Sequence, residues 1–241
     1  MSHRGWDMSR DAVSYAPDVG RKFSPSGCPL PFAGNTFLGH LEQQGEGFDT
    51  FDNILNISRF LPETLFFRKL ALVPSSSYHV TLFGGVNEWD RRSGPWPVRI
   101  SRELSLESLN KQFLEKLISR QPSLSAPWEF TVDSDAPLPG EADNLFIPLK
   151  PADEATGDRL QKIRNELSEV TGIRRDDHDD YQYHITLGYL TAVLDQVELI
   201  EYREKNREWR EMIAKAGNIT IQEFEFCTLR DMYSFRRIQV I

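Results

Sequence analysis

The stretch Tyr78-His79-Val80-Thr81-Leu82 returns 105 residues later as Tyr183-His184-Ile185-Thr186-Leu187. Both copies are apolar and β-branched, and both read as strands, in which successive side chains point to opposite faces. Tyr78, Val80 and Leu82 therefore share one face with a core, as do Tyr183, Ile185 and Leu187. The opposite face presents an imidazole and a hydroxyl, twice: His79 with Thr81, and His184 with Thr186. The same parity makes Ser77, Phe83 and Gln182 candidates for contacts along a cleft.

Working outward, the elements around the two copies follow a similar order. Before the first lie a strand at 36–41, a helix at 48–60 whose apolar residues recur at helical spacing, and a strand at 65–73; Gly84-Gly85 ends the His79 strand. Asn87 to Val98 is an irregular loop, followed by a helix carrying Leu106, Leu109, Phe113 and Leu117 that stops before Gln121-Pro122. Strands at 128–132 and 145–149 and a helix over Leu160 to Val170, closed by Gly172, precede the second copy. A long helix at 193–216 with Val197, Ile200, Trp209, Met212 and Ile213 on its buried side comes next, then strands at 219–229 and 233–241. This order suggests two related halves, whose facing strands would form a pseudo-twofold cleft. Residues 1–33, rich in Gly, Pro and Ser without periodicity, read as an N-terminal arm or covering loop, and 34–241 as a single bilobal domain.

Composition narrows the functional classes. With 241 residues, 39% of them hydrophobic, the chain is long enough to bury a substantial core. No apolar run approaches the roughly 20 residues of a membrane span, and Met1 to Asp7 lacks a signal-peptide core, so a cytoplasmic (or nuclear) monomer with no membrane partner is expected. Cys28 and Cys227 are too few for a disulfide framework. A formal charge of −8 disfavours wrapping a long duplex, because affinity for duplexes comes mainly from phosphates neutralised by Lys and Arg. A small nucleotide or a short RNA end held in a local cleft remains compatible.

Two imidazoles and two hydroxyls suit the opening of a phosphodiester. An oxygen nucleophile attacks phosphorus in line with the leaving oxygen, so a base is wanted on one side and an acid on the other. Histidine, with an ordinary pKa near 6.5, serves either role. The threonines donate hydrogen bonds to non-bridging oxygens, and the scheme needs neither metal nor cofactor. The motifs His79-Val80-Thr81-Leu82 and His184-Ile185-Thr186-Leu187 resemble those of the two-histidine phosphoesterases, the cyclic-phosphodiesterase-like proteins. Pro31 to Thr36, Pro74 to His79, Trp96-Pro97, Asp177 to Tyr181 and Glu225 to Met232 resemble a branch of that group described as a domain of unknown function. The resemblance covers residue 18 to the C-terminus. It implies an α+β fold of two pseudo-twofold-related halves, a bilobal molecule with antiparallel sheets flanking a central cleft and helices outside, with His79 and His184 as catalytic residues, Thr81 and Thr186 as phosphate-binding residues, and metal-independent action on 2′,3′-cyclic phosphates, 2′-5′ linkages or the ends of small RNAs.

Other features read differently. A single His-x-Thr is usually a half-exposed strand face, whereas two near-identical copies favour chemistry. Asp176-Asp177-His178-Asp179-Asp180 offers metal-ligand types but reads better as a solvated turn. Arg91, Arg92, Arg99 and Arg102 are available to an anion, or serve as surface charge, and His40 is a cleft or structural histidine. The rival function is a nucleotide or RNA-end binding module without turnover.

Overall fold

In the computed structural model, residues 13–120 and 126–241 are described. Residues 1–12 of the expected arm and the expected helix stop at Gln121-Pro122 lie outside them.

Among the described residues nine strands and four α-helices alternate. The strands are β1 (Gly34–His40), β2 (Leu70–Leu72), β3 (His79–Asn87), β4 (Trp128–Val132), β5 (Leu145–Pro151), β6 (Tyr183–Leu190), β7 (Ile219–Ile221), β8 (Glu225–Leu229) and β9 (Phe235–Val240). The helices are α1 (Phe48–Phe60), α2 (Leu106–Arg120), α3 (Glu154–Thr171) and α4 (Gln196–Lys215). Strand order is β7-β4-β5-β6-β3-β1-β8-β9, and β2 pairs with β6. All pairings are antiparallel. The architecture is thus α+β, with one continuous antiparallel sheet made of two matched halves, β3-β1-β8-β9 and β6-β5-β4-β7. The halves join at one opposed pair, Val80 with Ile185.

The strands form because each carries an inward apolar row. Tyr78, Val80, Leu82, Tyr183, Ile185 and Leu187 are all buried, as alternation requires. The Tyr78 hydroxyl shares a 2.9 Å hydrogen bond with Ser58 of α1, so the one polar atom this ring takes inside is satisfied. Helix α3 begins where Asp153 accepts from the Thr156 N–H at 2.7 Å and ends at Gly172, whose φ of 72° suits glycine. Helix α4 begins with a capping box of Asp195 and Glu198.

Four expectations change. The buried stripe of α4 is Leu199, Tyr202, Asn206, Trp209, Arg210 and Ile213, whereas Val197 and Ile200 are exposed. Burying the 199–202–206–209–213 stripe, with its two large aromatics, covers more apolar area than an aliphatic count suggests. The strand expected at 65–73 shrinks to Leu70–Leu72, because Phe66 leaves the sheet to pack its ring 4.9 Å from that of Tyr202. The strand expected at 219–229 is two, since 222–224 carries the chain from the edge of one half, on β4, to β1 in the other.

The fourth change bears on the site. β3 does not stop at Gly84-Gly85 but continues to Asn87 through two irregularities. Phe37 opposes Phe83 while Leu38 opposes Thr81, so Leu82 and Phe83 take up one extra residue against β1. Such a bulge reverses the parity beyond it. Phe83 consequently turns away from the cleft into the core, 2% exposed, with its ring 5.8 Å from Phe37.

Candidate active site

In the antiparallel register set by Val80 and Ile185, His79 stands across from Thr186 and Thr81 across from His184. All four side chains line one pocket of about 290 Å³ on the sheet face opposite the core. The two imidazoles therefore sit on a diagonal of a four-residue patch, and the two hydroxyls on the other diagonal.

Each imidazole is held in the same way. His79 Nδ1 lies 2.6 Å from the Ser77 carbonyl oxygen and His184 Nδ1 lies 3.0 Å from the Gln182 carbonyl oxygen. A carbonyl only accepts, so Nδ1 carries the hydrogen in both rings. Nε2 is then the nitrogen with a free lone pair in the neutral form, and the one able to accept a proton. Ser77 and Gln182 serve this purpose through their backbones. The Ser77 hydroxyl is spent on the Pro74 carbonyl at 2.7 Å, and the Gln182 amide turns to the Asp180 carbonyl at 3.2 Å. With Phe83 in the core, none of the three residues that parity suggested as side-chain cleft contacts lines the pocket.

Burial pushes the His79 imidazole down to about 4, with the neighbouring His40 and His184 rings adding to the effect against the Ser77 carbonyl. His184 is also lowered, by burial first and then by the Lys22 ammonium. Both rings are neutral near pH 7 in the unliganded protein, and each packs beside an aromatic ring: Phe235 at 4.5 Å from His79, Phe146 at 5.3 Å from His184. His40 is opposite His79 in the β1–β3 register, with Nδ1 3.4 Å from a Glu225 carboxylate oxygen.

Several lining residues were not legible in local sequence pattern: Arg21 and Lys22, Asn35, Arg175, Tyr181 and Phe235. Tyr181 lines the pocket beside Thr81, and burial pushes its hydroxyl up to about 12, so it stays a phenol. Lys22 is half-buried, 3.3 Å from Asp18 and 4.7 Å above the Tyr189 ring. Asp18 also accepts from Arg21 at 3.2 Å and from Asn144 at 2.9 Å, which fastens residues 18–23 to the second half. Local pattern offered two basic pairs, Arg21-Lys22 and Arg174-Arg175, while Asn35 and Tyr181 fall within Pro31 to Thr36 and Asp177 to Tyr181, two of the stretches that carry the family resemblance.

The remaining candidates lie elsewhere. Arg91 chelates Glu88 and, with Arg102, bonds to loop carbonyls beside Trp96, and none of Arg91, Arg92, Arg99 and Arg102 lines the pocket. In the acidic run Asp179 is paired with Arg174 at 2.7 Å, and His178 is buried with Nε2 2.9 Å from Asn165. Of that run only Asp177 reaches the pocket. Among the described residues no three His, Cys, Asp or Glu side chains converge as metal ligands.

Residues 22–138 match the family model "2H-phosphodiest: Domain of unknown function (DUF1868)". No curated protein matches the chain. Among solved structures it is similar to a conserved protein of unknown function from Agrobacterium tumefaciens str. C58, 25% identical over 96% of this chain and 95% of that one, with a TM-score of 0.82. It is also similar to apo LigT of E. coli at 14% identity over 88% of this chain and 98% of that one, with a TM-score of 0.45. A Thermus thermophilus protein is 12% identical over 86% and 96% of the two chains, with a TM-score of 0.43. Residues 22–138, which hold the first His-x-Thr motif, thus match a family labelled as two-histidine phosphodiesterases and described as a domain of unknown function, and the second motif, His184-Ile185-Thr186, repeats the first outside the matched span.

Proposed function

We propose that this chain is a metal-independent phosphodiesterase that opens the 2′,3′-cyclic phosphate of a small nucleotide or an RNA end. The observation that carries the reading is the matched pair of imidazoles, each with Nδ1 tied to the carbonyl two residues back and Nε2 left for chemistry, in one pocket with Thr81 and Thr186. A pocket of about 290 Å³ is at the small end for ligand sites and suits a single nucleotide unit rather than a folded polymer.

In this mechanism the phosphate sits over the four-residue patch. Thr81 and Thr186 donate to the non-bridging oxygens. One histidine takes a proton from water through Nε2 as the water oxygen bonds to phosphorus. The bond from phosphorus to one ribose oxygen breaks, and the other histidine protonates that oxygen. Both rings are neutral in the empty pocket, so the acid must gain its proton together with the substrate. The phosphate's negative charge raises the pKa of a ring beside it and favours that uptake.

The test is incubation of purified protein with nucleoside 2′,3′-cyclic phosphates and with short 2′-5′ and 3′-5′ oligonucleotides, separating 2′- from 3′-phosphate products. Ring opening of the cyclic phosphates with EDTA present is the expected result. Calorimetric binding of the same compounds without product would establish the binding module instead.

A further inference from the structure

We propose that Arg175 forms a second anion subsite in the same cleft, which receives a phosphate about one nucleotide unit away from the reacting phosphodiester. This rests on the phosphodiesterase reading and names its substrate class: a nucleotide that carries a further phosphate.

Three cations line the pocket: Arg21, Lys22 and Arg175. The first two already have carboxylates. Asp18 is 3.2 Å from Arg21 and 3.3 Å from Lys22, and Asp90 is 2.7 Å from Arg21. Arg175 makes no ion pair among the described residues. Its guanidinium is instead held by backbone: Nε donates to the Gly84 carbonyl at 3.2 Å and Nη2 to the Gly85 carbonyl at 2.6 Å. These bonds fix the plane of the fork without neutralising it, and Nη1 has no partner among the described residues. A half-buried guanidinium, oriented in advance and without a carboxylate in direct contact, is what a phosphate-binding arginine requires. Two acidic residues, Asp90 and Asp177, also line this end. Asp90 is engaged by Arg21 and by the Asn87 amide at 2.9 Å, and Asp177 is exposed to solvent.

The seat is built by the irregular part of β3. A Cβ on Gly84 would come within 3.0 Å of Arg175 Nε and 3.3 Å of its Cζ, so a side chain there pushes the guanidinium off its present seat by a few tenths of an ångström. The bulges also turn the Gly84 and Gly85 carbonyls into acceptors for a side chain arriving from the 174–181 loop. Thr81 and Gly84 stand opposite Leu38 and Thr36, two residues apart on β1, so across the bulge the strand advances about 7 Å at roughly 3.3 Å per residue, which spans one ribose. The second phosphate has two sources with the same chemistry, the 5′-phosphate of a mononucleotide or the next phosphodiester of an oligonucleotide.

The experiment measures binding by calorimetry, so that it does not depend on turnover, for a nucleoside 3′-phosphate, a nucleoside 3′,5′-bisphosphate and a dinucleotide 3′-phosphate. Parallel kcat/KM values use the corresponding cyclic phosphates. The native protein should bind the bisphosphate or the dinucleotide about 10- to 100-fold more tightly than the monophosphate. A preference confined to one of the two identifies the source. Arg175→Met should remove that preference and leave monophosphate affinity within about threefold, and Arg175→Lys should restore part of it. Gly84→Ala keeps the charge but displaces the guanidinium, and should lower the same ratio. A native protein indifferent to the second phosphate, or an unchanged ratio in Arg175→Met, overturns the subsite. Absence of turnover with the binding ratios intact overturns the phosphodiesterase reading and leaves the subsite standing.

Discussion

Val80 and Ile185 are direct cross-strand partners, and this pair is where the β3 half of the sheet is stitched to the β6 half. Both side chains are fully buried. Because they point into the core, the residues on either side of each must point out, which sets His79 across from Thr186 and Thr81 across from His184. A pairing slip of one residue would put an imidazole in the core on one side only, so burial of the valine and isoleucine secures the alignment of the site.

Replacing either histidine should abolish chemistry while sparing the fold. His79→Asn and His184→Asn each remove one proton-transfer group from a half-buried position, and kcat should fall by about 10²–10⁴-fold. Melting temperature and circular dichroism should stay near native values, and EDTA should leave the native rate unchanged. Full turnover in either variant would sink the two-histidine mechanism.

The pH dependence should be shifted to the acid side. The proposed mechanism needs one imidazole neutral and the other protonated, and burial lowers both rings below the usual 6.5, His79 to about 4. A plot of kcat/KM, which reports the free enzyme, should rise through the lower value, peak below pH 6.5 and decline above. A profile still climbing at pH 7.5 contradicts it.

Stability should fall with acid through the same residue. His79 titrates near 6.5 when unfolded and at about 4 when folded, so between these values the unfolded chain binds more protons. Folding free energy is then lost as pH drops from 6.5 towards 4, by at most about 3 kcal/mol from this group, and levels off below. Urea unfolding at pH 7 and pH 4.5 should show a smaller loss for His79→Asn than for the native protein. Equal losses would mean that His79 is not the group responsible.

Gly85→Ala should be costly although it adds one methyl group. Its Cβ would lie 1.8 Å from Asn35 Oδ1, the oxygen that accepts the Val86 N–H at 3.1 Å while the Asn35 amide donates to Asn110 at 2.6 Å. Either the buried asparagine gives up its partners or β3 moves. A loss of about 2–4 kcal/mol is expected in thermal or denaturant unfolding. A native-like midpoint would show that β3 yields at no cost.

The sequence by itself determined which residues face a cleft within each copy of the motif and which six support it from beneath. Alternation is a local property of extended backbone, and the bulge touches only the last residue of the first phrase, Leu82, beyond the His79 and Thr81 positions. It likewise placed the four helices, whose apolar spacing is set within a few turns, though not the face that α4 buries, where Tyr202, Asn206 and Trp209 outrank Val197 and Ile200. Tertiary structure alone decided the rest of the site. The bulge at Leu82–Phe83 exists because β3 must match β1, and it sends Phe83 inward against its parity. The carbonyls of Ser77 and Gln182 orient the imidazoles where their side chains had been the expectation. The cations Arg21, Lys22 and Arg175 reach the pocket from loops outside both motif strands, held there by carboxylates and backbone oxygens. Periodicity encodes which way a side chain points along its own element; it carries no information on which loop the folded chain brings to the other side of the cleft.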